Sequence, residues 1–434
     1  MTVLVGKTGA DDVVVRGARV LDPVSGVDGL LDVRVDRGVI AELRTHVDTN
    51  EHRVIDGDGL VLAPAFVDPH VHLRTPGRED EETIASGTAA AAAGGYCAIL
   101  AMPNTDPVVD CADVLRGLRA RAADEAEVQV GFAAAITVGQ EGEHLTEMGE
   151  LADAGAAAFT DDGRPVASAG MMRRALQYNA ITERPLAVHA EEPTLTRGGH
   201  VHAGTVAAEL GLGGWPALGE SLAVARDLAL AANARRPIHL MHLSARESVE
   251  LLQRAQSARV DATAEVTPHH LCLTDDAIRT LDPNLKMNPP VRADEHRQAL
   301  IAALRSGDIA AIATDHAPHA REEKDVPFEA APFGVTGLET AFGALYTHLV
   351  EPGLLPLETL LERMSAGPAA IFGLDRPRIG VGAPANFVLI DLRSRWRVRA
   401  DRFRSRSENS WLLGRQLTSR IVLTMAAGRV AFDA

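Results

Sequence analysis

The sequence has few cysteines, few lysines and no long apolar run, and each shortage excludes a class of protein. Its three cysteines, Cys97, Cys111 and Cys272, have no paired spacing, so neither a disulfide framework nor a cysteine zinc knuckle is predicted. No apolar stretch reaches the roughly 18 residues of a membrane-spanning helix. Residues 1–12 lack the basic-then-apolar pattern of a secretion signal. We therefore predict a cytoplasmic protein in a reducing compartment, with no membrane partner.

Positive charge is also scarce. The 434 residues contain 43 Lys and Arg against 59 Asp and Glu, which gives a net charge of −16. Such a charge argues against binding to nucleic acid or to an anionic membrane. Only three of the basic residues are lysines: Lys7, Lys286 and Lys324. Any chemistry that depends on a lysine is thus confined to three positions.

Both ends of the chain have the pattern of short β-strands. Between residues 12 and 62, β-branched runs are broken by turn signals such as Asp22-Pro23 and Gly57-Asp58-Gly59. The other end is similar, with strand-like runs at 385–391 and 421–430. Two β-rich ends around a different middle predict a small β-sandwich domain that combines residues 1–60 with residues 381–434.

The middle of the chain, residues 61–380, alternates apolar strands with helical segments. One such segment, residues 82–93, ends in a Gly-Gly pair that fits a helix C-cap. Eight β-α units with nearly continuous apolar strands predict an α/β fold, a (β/α)8 barrel of the TIM type, and a doubly wound sheet is the alternative. The predicted strands are 65–72, 98–102, 128–135, 157–160, 186–189, 238–242, 261–266 and 309–314.

Histidines and carboxylates gather at the carboxyl ends of these predicted strands, where a barrel carries its chemistry. His70 and His72 end the first strand and, being two residues apart, point to one face. A set of this size exceeds one closed structural zinc site and indicates a two-metal catalytic centre with a bridging carboxylate and a bridging hydroxide. The other strand ends carry Asp161, Asp162, His189, His242 and Asp315. Either aspartate of the 161–162 pair can bridge, and Asp315 can bind one metal and accept a proton.

With these residues identified, the chain resembles the amidohydrolase superfamily and, within it, the type I dihydroorotases. The resemblance covers nearly the whole chain and rests on specific motifs. One departure is Thr75, where the family usually has glutamate, and it touches no expected ligand. The motifs are Asp-Pro-His-Val-His-Leu-Arg-Thr-Pro-Gly (68–77), Met-Pro-Asn-Thr (102–105), Phe-Thr-Asp-Asp-Gly (159–163), His-Leu-Ser (242–244), Ala-Glu-Val-Thr-Pro-His-His-Leu (264–271), Lys-Met-Asn-Pro-Pro (286–290) and Thr-Asp-His-Ala-Pro-His (314–319).

The resemblance implies a role for each candidate ligand. His70 and His72 would bind a first metal together with Asp315, which would also shuttle protons. His189 and His242 would bind a second metal. Many superfamily members bridge the metals with a carboxylated lysine, but no lysine lies on the predicted fourth strand. The type I pattern instead assigns the bridge to Asp162. We expect two Zn²⁺ per subunit, bridged by Asp162 and hydroxide.

Substrate contacts also follow from the resemblance. A guanidinium fork such as that of Arg74 suits a carboxylate. His316 is interpreted as a brace of its loop, whereas for His239, His269 and His270 the sequence leaves support of a ligand and simple packing both open. Residues 321–332, charged and rich in proline, are predicted to form a lid. The implied substrate contacts are His72, Arg74, Asn104, Asn288, His319, Phe333 and Gly334.

The activity implied is that of a dihydroorotase. Such an enzyme cyclises N-carbamoyl-L-aspartate to L-dihydroorotate in pyrimidine (UMP) biosynthesis, and in reverse hydrolyses the cyclic amide. The expected mechanism uses a metal-bridged hydroxide and Asp315. Two alternatives are another cyclic amidohydrolase, an allantoinase or dihydropyrimidinase, and an inactive dihydroorotase-like subunit of an aspartate transcarbamoylase complex. A homodimer is expected, and association of an active enzyme with the transcarbamoylase is left open.

Overall fold

The computed structural model describes residues 4–49 and 52–434. In these residues the strands are β1 (Val13–Asp22), β2 (Val27–Asp36), β3 (Val39–Arg44), β4 (Arg53–Asp56), β5 (Val61–Pro64), β6 (Phe66–Val71), β7 (Tyr96–Ala101), β8 (Gln129–Ala134), β9 (Ala158–Phe159), β10 (Ala187–Val188), β11 (Val201–His202), β12 (Gly214–Trp215), β13 (Ile238–Leu240), β14 (Ala262–Val266), β15 (Ala311–Ile312), β16 (Phe387–Arg397), β17 (Gln416–Ala426) and β18 (Arg429–Asp433).

The helices surround the strands of the middle of the chain. They are α1 (Ile84–Ala93), α2 (Ala112–Glu125), α3 (Met148–Asp153), α4 (Ala169–Tyr178), α5 (Pro193–Thr196), α6 (Thr205–Leu210), α7 (Leu218–Ala234), α8 (Arg246–Ser257), α9 (Pro268–Cys272), α10 (Asp294–Ser306), α11 (Arg321–Lys324), α12 (Ala341–Leu345), α13 (Leu357–Met364) and α14 (Ala366–Ile371). None of the helices in the described residues combines the length and the apolar character that crossing a bilayer requires.

The two ends of the chain form one sheet of eight strands. Its order is β18-β17-β16-β5-β1-β2-β3, with β4 paired to β1. Val39 also pairs with Pro384, so the sheet curls back on itself. Alternate residues, such as Val33 and Val35 or Leu423 and Met425, face inward and form a core of their own. The prediction of a separate β-domain built from both chain ends is confirmed.

The middle of the chain is a closed parallel barrel. Four strands pair in the order β6-β7-β8-β9, and four more pair in the order β10-β13-β14-β15. Parallel bridges join the two halves, one between Phe159 and Leu186 and one between Val71 and His316. The ring is therefore complete, which confirms the (β/α)8 class and excludes the doubly wound alternative.

Local sequence explains where the barrel elements begin and end. Helix α1 starts at Ile84, two residues after the predicted start, because Thr83 caps it reciprocally with Ser86. It ends at Ala93, and Gly94 is its C-cap. The strands pack as nearly continuous apolar runs into one large core. An excursion between β10 and β13, containing α5, α6 and the short β11–β12 pair, was not among the predicted elements.

Candidate active site and metal centre

Six side chains converge at the carboxyl ends of the barrel strands, and we call them the metal centre. All four of its histidines lie within two residues of the end of a strand, and all six side chains are buried. Because parallel strands end at one rim of a barrel, residues far apart in sequence meet there. The members of the metal centre are His70, His72, Asp162, His189, His242 and Asp315.

The carboxylate of Asp162 lies between two pairs of histidines. Its Oδ2 atom is 3.5 Å from Nε2 of His70 and 3.5 Å from Nε2 of His72. Its Oδ1 atom is 3.5 Å from Nδ1 of His189 and 3.7 Å from Nε2 of His242. Each carboxylate oxygen thus faces its own pair of ring nitrogens, as a carboxylate shared by two cations requires.

Asp315 lies on the side of the first histidine pair. Its Oδ1 atom is 3.1 Å from Nε2 of His72 and 3.5 Å from Nε2 of His70. The backbone of Asp315 has φ 49° and that of His242 has φ 33°, both in a left-handed region that non-glycine residues rarely adopt. The barrel rim therefore holds two members of the metal centre in strained conformations, as is common at functional sites.

Asp161 points away from the metal centre. Its Oδ1 atom accepts the backbone N–H of Ile136 at 2.7 Å and that of Thr137 at 3.0 Å, and its Oδ2 atom accepts the Thr137 hydroxyl. Successive residues of an extended chain face opposite sides, so only one aspartate of this pair can reach the histidines. Asp162 is the one that does.

The electrostatics of the metal centre favour bound cations. Burial raises the pKa of Asp162, but the charge of His70 and hydrogen bonds from His189 and His242 outweigh burial and hold that pKa well below its usual range. Burial likewise opposes ionisation of Asp315, but His70 and His72 lower its pKa. Nε2 of His70 is buried and has no hydrogen-bond partner among the described residues. Four imidazoles and two anionic carboxylates are a donor set that fits a pair of divalent metal ions.

The outward-facing nitrogens of three metal-centre histidines are held by other side chains. Nδ1 of His70 donates to Glu265 at 2.9 Å, and Nε2 of His189 donates to Glu191 at 3.1 Å. Nδ1 of His72 donates to Oδ1 of Asn104 at 2.9 Å. Such contacts fix the tautomer and the orientation of a metal ligand.

The predicted substrate residues Arg74 and His319 meet on a shared carboxylate, Glu81. Nε of Arg74 is 3.0 Å from Glu81 and also donates to the carbonyl of Pro318 at 3.0 Å. Nδ1 of His319 donates to Glu81 at 3.1 Å and to Glu323 at 3.3 Å. We call Arg74, Asn104 and His319 the carboxylate pocket, and Asn104 connects it to the metal centre through His72.

Glu81, His319 and Glu323 are themselves close enough together to hold a metal ion. Arg78, however, lies 3.0 Å from Glu81 and 2.6 Å from Glu323, and Arg74 occupies the second oxygen of Glu81. The two arginines already supply positive charge to this cluster, so we interpret it as an ion-pair network and not as a further metal site.

The remaining predicted substrate residues lie on neighbouring loops. Asn288 lies beside Glu191 on the His189 side of the metal centre and helps to lower the pKa of that carboxyl. The Phe333 carbonyl accepts from Nε2 of His319 at 2.8 Å. Gly334 has φ 121°, and an added Cβ would lie 2.7 Å from Cβ of Ala317. Glycine is therefore required there for both conformation and space.

Comparison with known proteins decides between the amidohydrolase activities. Residues 59–248 match the model of a family described as "Dihydro-orotase-like". The chain is similar to the dihydroorotase of Geobacillus kaustophilus, with 45% identity over 92% of this chain and 94% of that protein. It is also similar to the dihydroorotase of Geotalea daltonii, with 44% identity over 96% of this chain and 99% of that protein. This chain belongs to the dihydroorotase family.

A solved structure with a similar fold is the L-hydantoinase (dihydropyrimidinase) from Arthrobacter aurescens. Its TM-score is 0.88 at 28% identity, and the match covers 98% of this chain and 96% of that one. The dihydropyrimidinase from Brevibacillus agri has the same fold, with a TM-score of 0.84 at 20% identity, covering 97% of this chain and 95% of that one. The chain is therefore a dihydroorotase-family hydrolase that acts on a cyclic amide, built on the amidohydrolase barrel.

Two supporting residues of this dihydroorotase-family site escaped the sequence reasoning. Glu265 accepts a hydrogen bond from Nδ1 of His70 and another, at 3.1 Å, from Nε2 of His239. Glu191 accepts from Nε2 of His189 and lies beside Asn288. Glu265 sits in the apolar run Ala262–Val266, where a charged residue is rarely buried without a partner, so that signal was available. His239 thus lies in the barrel interior and supports a candidate ligand through Glu265.

The other open histidines are also placed by their contacts. Nε2 of His316 lies 3.1 Å from Glu82, and its Nδ1 accepts the backbone N–H of Gly337. His316 thus braces its loop. His270 contacts the Thr267 hydroxyl and the Pro289 carbonyl. His269 is buried, and its Nε2 forms no hydrogen bond with the described residues. Burial, together with the neighbouring His270, lowers the pKa of His269 well below its usual value.

The segment predicted as a lid is tied to the rest of the protein. It begins as the short helix α11, and both Lys324 and Phe328 are buried. Nζ of Lys324 donates to the carbonyls of Pro283 and Pro332 at 3.1 and 2.8 Å. Nζ of Lys286 donates to the carbonyls of Glu329 and Ala331 at 2.8 and 2.7 Å. Two of the three lysines therefore fasten this loop, and a lid motion stays a prediction.

Proposed function

We propose that this chain is an active dihydroorotase that interconverts N-carbamoyl-L-aspartate and L-dihydroorotate and uses two Zn²⁺ ions. The observation that carries the proposal is the position of Asp162 between two histidine pairs, with the carboxylate pocket connected to His72 through Asn104. A site for two cations beside a site for an anion suits a cyclic amide that bears a carboxylate.

The metal centre would divide its donors between the two ions. In this proposal His70, His72 and Asp315 hold the first ion, His189 and His242 hold the second, and Asp162 is shared. Bound divalent ions make a water more acidic and polarise an amide carbonyl. Glu265 and Glu191 keep the rings of His70 and His189 in the orientation that this assignment needs.

Asp315 acts as the proton carrier in this proposal. In the hydrolytic direction its carboxylate accepts a proton from the attacking water and delivers it to the ring nitrogen as the carbon–nitrogen bond breaks. In the biosynthetic direction it takes that proton from the carbamoyl nitrogen and returns it to the departing water. Its lowered pKa fits a group that is an anion at the start of hydrolysis.

The carboxylate pocket would select the substrate. Arg74 and His319 contribute cationic or donor groups, and Asn104 contributes an amide beside His72. Asn288, Phe333 and Gly334 would contact the ring. A hydantoin or a dihydropyrimidine has no carboxylate, so it cannot form the charge-assisted hydrogen bonds that this pocket offers and binds more weakly.

A panel of cyclic amides tests this function. We expect turnover of L-dihydroorotate with a kcat/KM at least about 10³-fold above that for hydantoin, dihydrouracil or allantoin, since the uncharged rings lose several hydrogen bonds to a charged group, each worth about 1.5–3 kcal/mol. Turnover of the uncharged rings alone would instead favour the hydantoinase-like alternative. A folded, metal-loaded protein that turns over none of them would favour the inactive transcarbamoylase subunit.

The resemblance also supports a cytoplasmic homodimer. Light scattering on the purified protein tests this, and the expected mass is twice that of the 46.0 kDa chain. Mixing with an aspartate transcarbamoylase tests association, and a complex would elute ahead of either protein alone. A mass of one chain would contradict the homodimer.

A further inference from the structure

One stretch of this acidic protein is unusually basic. Seven of the fourteen residues in the segment 393–406 are arginines, and Asp401 is the only acidic residue among them. The whole chain nevertheless has a net charge of −16. Positive charge that is concentrated within an acidic protein marks a surface that attracts anions. The metal centre and the carboxylate pocket use none of these arginines.

Several of these arginines line a single cleft of about 410 Å³. The barrel contributes the end of α1, at Ala93 and Gly94, and Phe342 of α12. The sheet of the chain ends contributes residues from β16, β17 and β18, including Trp396. Clefts of this size between two domains are where proteins commonly bind small molecules.

Most arginines of this cleft have no acidic partner within 4 Å among the described residues. Four exposed arginines on its wall form no ion pair within 4 Å and no side-chain hydrogen bond in the described residues, namely Arg397, Arg402, Arg404 and Arg420. Arg399, by contrast, is paired with Asp401 at 2.7 Å. A multiply charged anion in the cleft would offer such guanidinium groups bidentate contacts.

The same cleft offers flat apolar surfaces. Trp396 and Phe403 are half-buried on its wall. Nε1 of Trp396 donates to the carbonyl of Ser419 at 2.7 Å, which fixes the orientation of the indole. A fixed indole edged by arginines presents a stacking face for an aromatic ring.

A buried hydroxyl on the cleft wall lacks a partner. Ser419 is fully buried, has φ 75°, and its Oγ atom forms no hydrogen bond with the described residues. Because neither water nor a ligand in the cleft reaches this oxygen, the proposed site does not include it. Glu339, a carboxyl group on the wall, instead accepts the backbone N–H groups of Arg404 and Ser405, and burial raises its pKa to about 7.

We propose that this cleft binds a nucleotide of the nucleoside diphosphate class, with its base against Trp396 and Phe403 and its phosphates on the four unpaired arginines. The aromatic wall fits a base, and the arginines fit phosphate oxygens. A nucleic acid is disfavoured because the chain as a whole carries a net charge of −16. The cleft lies outside the active site, so the ligand would be a regulator and not a substrate.

Calorimetry on the metal-loaded full chain tests the proposal. The probes are UDP and ADP, with uridine and inorganic pyrophosphate as the separate halves of the ligand. The test variant is Arg397→Gln with Arg420→Gln. Its matched control is Arg173→Gln with Arg305→Gln, which removes two exposed, unpaired arginines that do not line the cleft. Circular dichroism and dihydroorotate turnover without nucleotide verify that both variants fold.

At least one nucleoside diphosphate is expected to bind the wild type and the control equally well. The test variant should bind this diphosphate at least tenfold more weakly than the wild type does. Uridine and inorganic pyrophosphate should each bind the wild type at least tenfold more weakly than the diphosphate does. The proposal is overturned if neither diphosphate binds at millimolar concentration, if the test variant binds as tightly as the control, or if pyrophosphate alone binds as tightly as the nucleotide. Because binding is measured directly, each of these results leaves the proposed dihydroorotase activity intact.

Discussion

The metal centre and the carboxylate pocket lie side by side but are held in different ways. In the metal centre, ring nitrogens from separate strand ends converge on Asp162, and Nε2 of His70 forms no hydrogen bond with the described residues. In the carboxylate pocket, Arg74 and His319 come from loops and are already bound to Glu81. The donors of the metal centre face one another around a shared carboxylate, whereas the carboxylate pocket is paired with Glu81, outside both groups, before any substrate arrives.

This difference predicts two kinds of sensitivity. The metal centre acts only when its cations are present, so losing a shared donor should abolish activity. In the carboxylate pocket several contacts share the binding energy, so losing one contact should weaken substrate binding by a limited factor. Substitutions in the two regions should therefore differ in magnitude and in the kinetic constant that they change.

The largest effect is expected for Asp162→Ala. Removal of the shared carboxylate should release metal and lower kcat/KM by more than about 10⁴-fold, since metal assistance supplies several kcal/mol. The matched variant is Asp161→Ala. It should retain metal but lower the melting temperature, because Ile136 and Thr137 lose their acceptor. Metal analysis after dialysis separates them, and metal loss from the Asp161 variant alone would show that the wrong aspartate is assigned.

Asp315→Asn should have the next largest effect. Loss of a proton carrier is expected to lower kcat by about 10²- to 10⁴-fold without unfolding the protein. Steady-state kinetics combined with circular dichroism checks this. If the variant keeps nearly full turnover, Asp315 does not carry the proton.

Arg74→Ala should produce a smaller loss that falls mainly on KM. A hydrogen bond to a charged group contributes about 1.5–3 kcal/mol, which corresponds to roughly 10- to 150-fold in kcat/KM for L-dihydroorotate. Arg78→Ala is the control, because Arg78 shares Glu81 but is not assigned to the substrate. Equal KM values for the two variants would contradict the carboxylate assignment of Arg74.

Glu81→Gln should have a modest effect, because it loosens the network without removing a substrate contact. The expected cost is about 1 kcal/mol, or roughly a fivefold rise in KM. The exposed neighbour supplies the control, Asp80→Asn, which should leave KM unchanged. A drop in kcat with unchanged KM would show that Glu81 acts on the chemistry and not on the position of Arg74 and His319.

The smallest effect on catalysis is expected from Lys324→Met, which instead tests the stability of the loop that carries Phe333 and Gly334. Burial lowers the pKa of Lys324 from its usual 10.5 to about 7. A folded-state pKa below the unfolded value means that the charged lysine opposes folding below pH 7. This opposition fades as the pH rises from 7 toward 10.5. We therefore expect the melting temperature of the wild type to rise relative to that of the variant between pH 6.5 and pH 9.

A matched change at the partly exposed Lys7, Lys7→Met, controls for the loss of one positive charge. The difference in melting temperature between the wild type and this control should not rise in the same way. A pH-independent difference for Lys324 would mean that its burial does not shift its titration.

Much of the barrel and the metal centre could be predicted because their signals are local. His70 and His72 share a strand face by spacing alone, and the strand that leads to Asp315 is an apolar run. Local periodicity marks where each strand ends, and barrel topology then brings the ends together. The choice between Asp161 and Asp162 needed the family resemblance, since alternation alone shows only that one of them faces inward.

The carboxylate pocket was less predictable because its contacts are long-range. Glu81 and His319 are 238 residues apart, and nothing near either residue indicates the pairing. The excursion with β11 and β12 was also missed, since two-residue strands have no period to detect. Single residues in loops carry no periodic signal, so their partners emerge only from the folded chain.

The most direct test of the central claim is the metal content per chain measured together with L-dihydroorotate turnover on the same preparation. We expect two divalent ions per chain, turnover that disappears on chelation, and recovery in proportion to the metal restored. Full turnover by a folded chain that holds no metal would contradict the assignment of the metal centre. Two retained ions with no turnover of L-dihydroorotate would contradict the assignment of the carboxylate pocket.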